Sequence, residues 1–175
     1  MTGPSATRIR RARPGDEDAL VRLVQELAAY ERAADEVQAS AADLGGALFG
    51  PVPGVWCHVA EDTGSGQVVG MALWFLTFST WTGRHGIHLE DLYVSPAARG
   101  RGTGRALLAA LATECLAHDW PRLEWAVLDW NAPAIGFYRA IGARSMDGWT
   151  TNRVTGPALK ALASFPAGPS AVDPT

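Results

Sequence analysis

The spacing of apolar positions changes several times along the chain, and each change marks a new element. Ile9 to Ala12 predicts a short edge strand, stopped by Pro14-Gly15-Asp16, with Asp16 placed to cap the next element. Leu20, Leu23, Val24 and Leu27 then recur at helical spacing, predicting an amphipathic helix that runs to Tyr30. A shorter helix is expected over Ser40 to Leu48 and is broken by Pro51-Val52-Pro53-Gly54. Two strands, Val55 to Glu61 and Val68 to Phe78, are joined by the turn-rich run Asp62 to Gly66. A third strand, Ile87 to Val94, precedes a glycine-rich loop, after which Leu107, Leu108, Leu111 and Cys115 mark one face of another helix. Leu123 to Leu128 reads as a strand. Asn131 caps a helix over Ala132 to Ile141, with Pro133 in its first turn and Gly142 as its left-handed stop. Two short strands are expected on either side of Gly148, then a closing helix over Pro157 to Ala163. The expected organisation is a flexible residue 1–7 segment, one domain over 8–165, and a proline-bearing disordered tail over 166–175.

The loop between the third strand and its helix carries the first chemistry. Arg99-Gly100-Arg101-Gly102-Thr103-Gly104 opens a helix, where free backbone N–H groups and the positive end of the helix dipole favour an anion. The phosphate loop of nucleotide triphosphatases is excluded, because Arg105 stands where a lysine is required. The dinucleotide fingerprint fails as well, since Arg105 again occupies the position of the third glycine. Arg-x-x-Gly-x-Gly at a strand-to-helix junction remains.

Composition narrows the ligands. The 175 residues are 47% hydrophobic and 19% charged, enough for a substantial core. A net charge of −3 and a pI near 5.8 provide no basic field for nucleic acid or an anionic membrane. Cys57 and Cys115 lack a partner spacing for zinc or a dithiol and read as buried free thiols, which fits a reducing cytoplasm. The longest apolar run, Val68 to Leu76, is too short to cross a bilayer, so a soluble cytoplasmic protein is expected. No metal is expected. His85 and His88 lie three apart on a strand and face opposite ways, while His58 and His118 are isolated. Ser95 has no adjacent base and so makes a poor hydrolase nucleophile.

The loop resembles the pyrophosphate loop of the GNAT superfamily of N-acetyltransferases, which implies the diphosphate of coenzyme A as its ligand. The element order implies the GNAT fold, an α/β (α+β) architecture with a central mixed, mostly antiparallel twisted sheet flanked by helices. Five further segments are similar to the spermidine/spermine (diamine) N-acetyltransferase family: Glu26-Leu27-Ala28-Ala29-Tyr30-Glu31, Trp81-Thr82-Gly83, Leu89-Glu90-Asp91, Trp130-Asn131-Ala132-Pro133 and Phe137-Tyr138. This resemblance runs from about Ile9 to Ala163.

It implies acetyl-CoA as co-substrate and a homodimer. Leu92, Tyr93 and Val94 would lie along the pantetheine, and Arg99, Gly100, Arg101, Gly102, Thr103, Gly104 and Arg105 would surround the diphosphate. Asn131, Ala132, Pro133, Ala134 and Tyr138 would complete the cofactor site. Tyr30, Glu31, Trp81, Glu90, Asp91, Glu124, Trp125, Ala126 and Asp147 would line an amine site. An alkylammonium near pKa 10.4 is only about one part in a thousand neutral at pH 7, so a carboxylate must take its proton, and Glu90 is the candidate. On a regular strand Glu90 and Asp91 point to opposite faces, so a paired dyad is not expected. Tyr138 matches the family's proton donor to the departing thiolate. Its helical pattern with Ala134, Phe137 and Ile141 also fits a core aromatic.

The sequence departs from the diamine family at Thr80-Trp81, where that family reads Pro-Trp, and at Asp129, where it has glutamate. The segment from Gly142 to Trp149 is shorter, with Asp147 in place of glutamate. These changes fall in the amine site and leave the cofactor site alone. The implied activity is acetyl transfer to a small cationic amine such as a polyamine, a diamine or thialysine, by direct attack in a ternary complex. Other amines, including amino acids, drug-like amines and protein lysines, and a non-catalytic acyl-CoA-binding regulator are the competing readings.

Overall fold

The computed structural model describes residues 6–165. The expectation for the tail over 166–175, and most of that for residues 1–7, lies outside the described residues. Thr7 is described and opens the first strand. The chain divides into two compact units, one ending at Ala126 and the other beginning at Val127.

In the first unit, a sheet of five strands runs in the order β1 (Thr7–Arg11), β2 (Trp56–Asp62), β3 (Val68–Ser79), β4 (Arg84–Val94) and β5 (Leu123–Trp125). Neighbours are antiparallel except β4 and β5, which are parallel. The helices are α1 (Glu17–Tyr30), α2 (Ala41–Phe49) and α3 (Thr103–Ala117). Leu20 and Leu23 of α1 are fully buried and pack on one sheet face with Leu48, Cys57, Val59, Met71, Leu73 and Tyr93. The alternate residues Trp74, Ile87 and Leu89 are also fully buried, on the face that receives Leu107 and Leu111 of α3. Burying each of these side chains contributes about 1.5–3 kcal/mol, so both faces of the sheet are anchored.

Local signals behave unevenly. Ser40 caps α2 in a reciprocal box with Asp43, a feature worth about 1 kcal/mol. Asp16 precedes α1, yet its side chain does not cap it. The carboxylate instead accepts from the Arg13 N–H and takes both terminal nitrogens of Arg10 at 2.7 and 2.9 Å. A buried bidentate partner outcompetes a cap, because leaving Arg10 unpaired would cost more.

Two departures in the sheet have one cause. Leu73 pairs with Asp91 and Trp74 pairs with Leu89, so Glu90 is an extra residue in β4 and forms a bulge. The parallel partner β5 ends at Trp125, opposite Leu89, where the bulge begins. The expected strand over Leu123 to Leu128 is therefore only three residues long, since a bulged strand turns its hydrogen-bonding edge away.

The second unit contains α4 (Ala132–Ala140) and α5 (Gly156–Ala163). The Asn131 side chain accepts the Ala134 N–H at 3.3 Å, and Gly142 at φ +92° ends the turn after α4, as the sequence predicts. The two strands expected around Gly148 are absent among the described residues. Met146 and Trp149 there are largely exposed, and within the unit no strand offers them a ladder. No helix among the described residues is long and apolar enough to cross a membrane.

Candidate active site

The bulge at Glu90 changes what two adjacent carboxylates can do. A regular strand would send Glu90 and Asp91 to opposite faces, as the sequence reading expected. With one residue inserted, both line the same cleft of about 430 Å³, together with Leu27, Ala28, Glu31 and Glu36 from the end of α1 and the loop after it. The expectation that they point to opposite faces is overturned. Glu90 keeps 56% of its side chain exposed at the rim, with its Oε2 4.0 Å from His88 Nε2. Asp91 is the more buried member, half-buried in the cleft. Its carboxyl is pushed up to about 6 by burial, reinforced by the negative charges of Glu90 and Glu31. Burial likewise raises Glu31 above the ordinary carboxylate range. Glu36 joins these acids in the cleft and was not among the expected site residues, since only the turn at Ala34–Glu36 carries it there.

The glycine-rich loop folds as its composition requires. Gly100 at φ +73° and Gly102 at φ +80° adopt a conformation other residues resist, and no heavy atom lies within 4 Å of where a Cβ would project from either. Gly102 stands at the N-terminus of α3 without a side-chain cap, so the first-turn N–H groups of Thr103, Gly104 and Arg105 point outward from an open concavity. Thr103 is buried, its hydroxyl donating to the Ala98 carbonyl and holding the loop to the turn before it. Arg101 and Arg105 are exposed and form no ion pair among the described residues. This donor set fits a diphosphate.

Arg99 behaves differently from the other two arginines. Its Nε donates to the Val94 carbonyl at 2.7 Å, and its guanidinium lies 5.2 Å from the Tyr93 ring centroid and 5.4 Å from that of Tyr30. Leu92 is half-buried, and Tyr93 and Val94 are buried at the end of β4.

The remaining expected residues are distributed. Glu124 and Trp125 are half-buried in β5, and Ala126 is exposed just after it. Glu124 is held by Arg122 at 3.5 Å and by the Thr77 hydroxyl at 3.4 Å, which partly neutralises it. Trp81, 90% exposed, sits in the turn between β3 and β4. Arg84 at the base of that turn is about 23 Å along the strand from Asp91, at 3.3 Å per residue. Trp81 therefore does not line the acidic cleft. In the second unit, Asn131 is buried, Ala132 and Pro133 are exposed in the first turn of α4, Ala134 is half-buried, and Asp147 is exposed. Tyr138 is half-buried beside Phe137, with ring centroids 5.3 Å apart, and α4 has no fully buried residue, so Tyr138 is not a core aromatic. Among the described residues no cluster of His, Cys, Asp and Glu could hold a metal.

The chain matches the acetyltransferase (GNAT) family over residues 20–143. It is 40% identical over 164 residues to the thialysine N-epsilon-acetyltransferase of Bos taurus, covering 89% of this chain and 96% of that one. It is 36% identical over 149 residues to the human spermidine/spermine N(1)-acetyltransferase-like protein 1, across 81% of this chain and 21% of that longer protein. Among solved structures, an integron cassette protein from the mobile metagenome of V. cholerae superposes with a TM-score of 0.76 at 30% identity, over 93% of this chain and all of that one. Sheet order, glycine-rich loop and sequence relatives agree: the chain belongs to the GNAT acetyltransferase family, as an N-acetyltransferase close to its diamine-acetylating members.

Proposed function

We propose that this enzyme transfers the acetyl group of acetyl-CoA to a primary amine of a small cationic acceptor of the polyamine, diamine or thialysine kind, by direct attack in a ternary complex. The observation that carries this reading is the cleft shared by Glu31, Glu36, Glu90 and Asp91, in which burial and like charges leave Asp91 with a raised affinity for a proton. Four carboxyl groups around about 430 Å³ suit a ligand that brings positive charge and a proton to give up.

Acetyl-CoA supplies an acetyl group activated as a thioester. The backbone of Gly100 to Gly104, with Arg101 and Arg105, holds the diphosphate, and the end of β4 at Leu92 to Val94 orients the carbonyl. By the resemblance to the diamine family, Asn131 to Ala134 are the remaining cofactor contacts and Tyr138 the proton donor. Deprotonating an alkylammonium at neutral pH costs about 4–5 kcal/mol, which a fixed carboxylate offsets. Asp91, whose affinity for a proton burial raises, accepts it, and Glu90 at the rim passes the proton to water. The amine nitrogen bonds to the acetyl carbon and sheds its second proton to solvent, the carbon–sulfur bond breaks, and the Tyr138 hydroxyl gives its proton to the departing sulfur before recovering one from solvent. By the usual yield of a positioned acid, Tyr138→Phe should lower kcat about 10²-fold or more.

The test is release of free coenzyme A thiol from acetyl-CoA by the pure protein, against spermidine, spermine, putrescine, thialysine, lysine and a histone-tail peptide. Strong preference for one small amine supports the reading. Acetyl-CoA binding without thiol release for any of them overturns it in favour of a non-catalytic acyl-CoA-binding protein.

A further inference from the structure

We propose that Arg99 is a positioning residue that ties the phosphate-binding loop to the wall of the amine cleft, so that binding at one site favours binding at the other. The inference rests on the proposed function, in which Tyr30 and Glu31 stand beside the amine and the glycine-rich loop beside the diphosphate.

Arg99 is the only one of the loop's three arginines that is already engaged among the described residues. Its Nε holds the carbonyl of Val94, the last residue of β4, at 2.7 Å. Its guanidinium lies over the rings of Tyr93 and Tyr30, and the charges of Arg99 and Glu26 both act on the Tyr93 hydroxyl. Glu26 on α1 also accepts from the Ser95 hydroxyl at 2.7 Å and pairs with Arg22. One planar, five-donor side chain, carried by the residue directly before Gly100, thereby joins the glycine-rich loop to the last residue of α1 and the end of β4. A lysine could supply the charge but not the Nε–H together with a flat face over the rings.

Those three parts lead to both sites. Tyr30 is followed by Glu31 and Tyr93 is two residues beyond Asp91, both acids of the cleft. Gly100 and Gly102 come after Arg99 in a loop whose positive φ angles give it little stiffness of its own. An anion that orders this loop holds Arg99 in place, and Arg99 holds Tyr30 and the end of β4. Linkage requires the reverse effect to be equal.

The test pairs a change on each side of the bridge with a readout on the other. Coenzyme A affinity is measured by calorimetry without amine, and amine KM at saturating acetyl-CoA. Tyr30→Ala lies outside the glycine-rich loop, yet should weaken coenzyme A binding about fivefold or more, whereas Tyr30→Phe, which keeps the ring, should bind as the parent does. Arg99→Ala and Arg99→Lys should both raise amine KM about fivefold or more even when acetyl-CoA saturates. Arg101→Ala, a change at a phosphate contact, should weaken coenzyme A binding and shift amine KM less than Arg99→Ala does. The inference is overturned if Tyr30→Ala binds coenzyme A within about twofold of the parent, or if Arg99→Ala behaves like Arg101→Ala. The Tyr30 pair decides the question by binding alone should the Arg99 variants not fold. If the parent protein acetylates none of the amines, the proposed function fails, and the dependence of coenzyme A affinity on the Tyr30 ring still stands or falls separately.

Discussion

Asp16 and Glu61 lie near the β1 edge of the sheet against Arg8, Arg10 and Arg13, whereas the acids that act on Asp91 in its cleft are Glu90 and Glu31. Both regions bring carboxylates out of water. At the edge, Arg10 reaches Asp16 and Glu61 at 2.7 Å each, and its hydrogen bonds hold both carboxyls below the ordinary range despite the desolvation of Asp16. In the cleft no cationic group among the described residues offsets burial, and Asp91 rises to about 6. The first arrangement joins β1, β2 and the start of α1. The second leaves its charge unmatched, which the folded chain alone has no reason to keep but a cationic ligand would satisfy.

If this contrast is right, removing one acid from each region has opposite consequences. Asp91→Asn should lower kcat/KM by about 10²–10³-fold, read by thiol release, while raising unfolding free energy at pH 7 by about 3 kcal/mol, from the displacement of its pKa at 1.36 kcal/mol per unit. An unchanged or lowered denaturation midpoint would remove the claim that Asp91 is a destabilised functional group. Asp16→Asn should instead destabilise by about 3 kcal/mol, the lower end for a broken buried pair because Glu61 still holds Arg10.

The pH dependence sharpens the same contrast. Asp91 has its folded pKa raised, so the stability it contributes is fully present below its unfolded pKa of about 3.9 and is lost as pH rises through about 6. Asp16 has its folded pKa lowered, so its contribution is present above about 3.9 and is lost as pH falls through the folded value. As proton acceptor, Asp91 must be ionised, and kcat/KM should rise with pH through about 6. Glu31→Gln removes one of the charges that raises Asp91, so this limb should move to lower pH by less than about one unit. The smallest effect is expected at Trp81→Ala, which lies apart from both acid groups and is 90% exposed: a change in unfolding free energy within about 0.5 kcal/mol.

Much of the fold was legible because its causes are local. The amphipathic spacing of Leu20, Leu23 and Leu27, Pro133 after Asn131 and the glycines at 100 and 102 each specify backbone geometry within a turn or two. The site was legible only where it copies such a motif. The glycine-rich loop was recognisable as an anion cradle. The partnership of Glu90 with Asp91 was not, because parity along a strand assumes perfect register, and a bulge appears only when β3 and β4 pair. Asp16 was misread for a similar reason: its cap position is local, but Arg10 and Glu61, which claim its charge, are brought together by strand pairing.

By itself, then, the sequence determined the helices, the turns, the loop that fits a diphosphate and the family to which the chain belongs. Tertiary structure decided which carboxylate is buried, how far β5 extends, and that Arg99 reaches Tyr30 across 69 positions instead of facing outward with Arg101 and Arg105. Backbone conformation is set by neighbours a few residues away. Charge, burial and coupling depend on groups that meet only after the sheet has chosen its register.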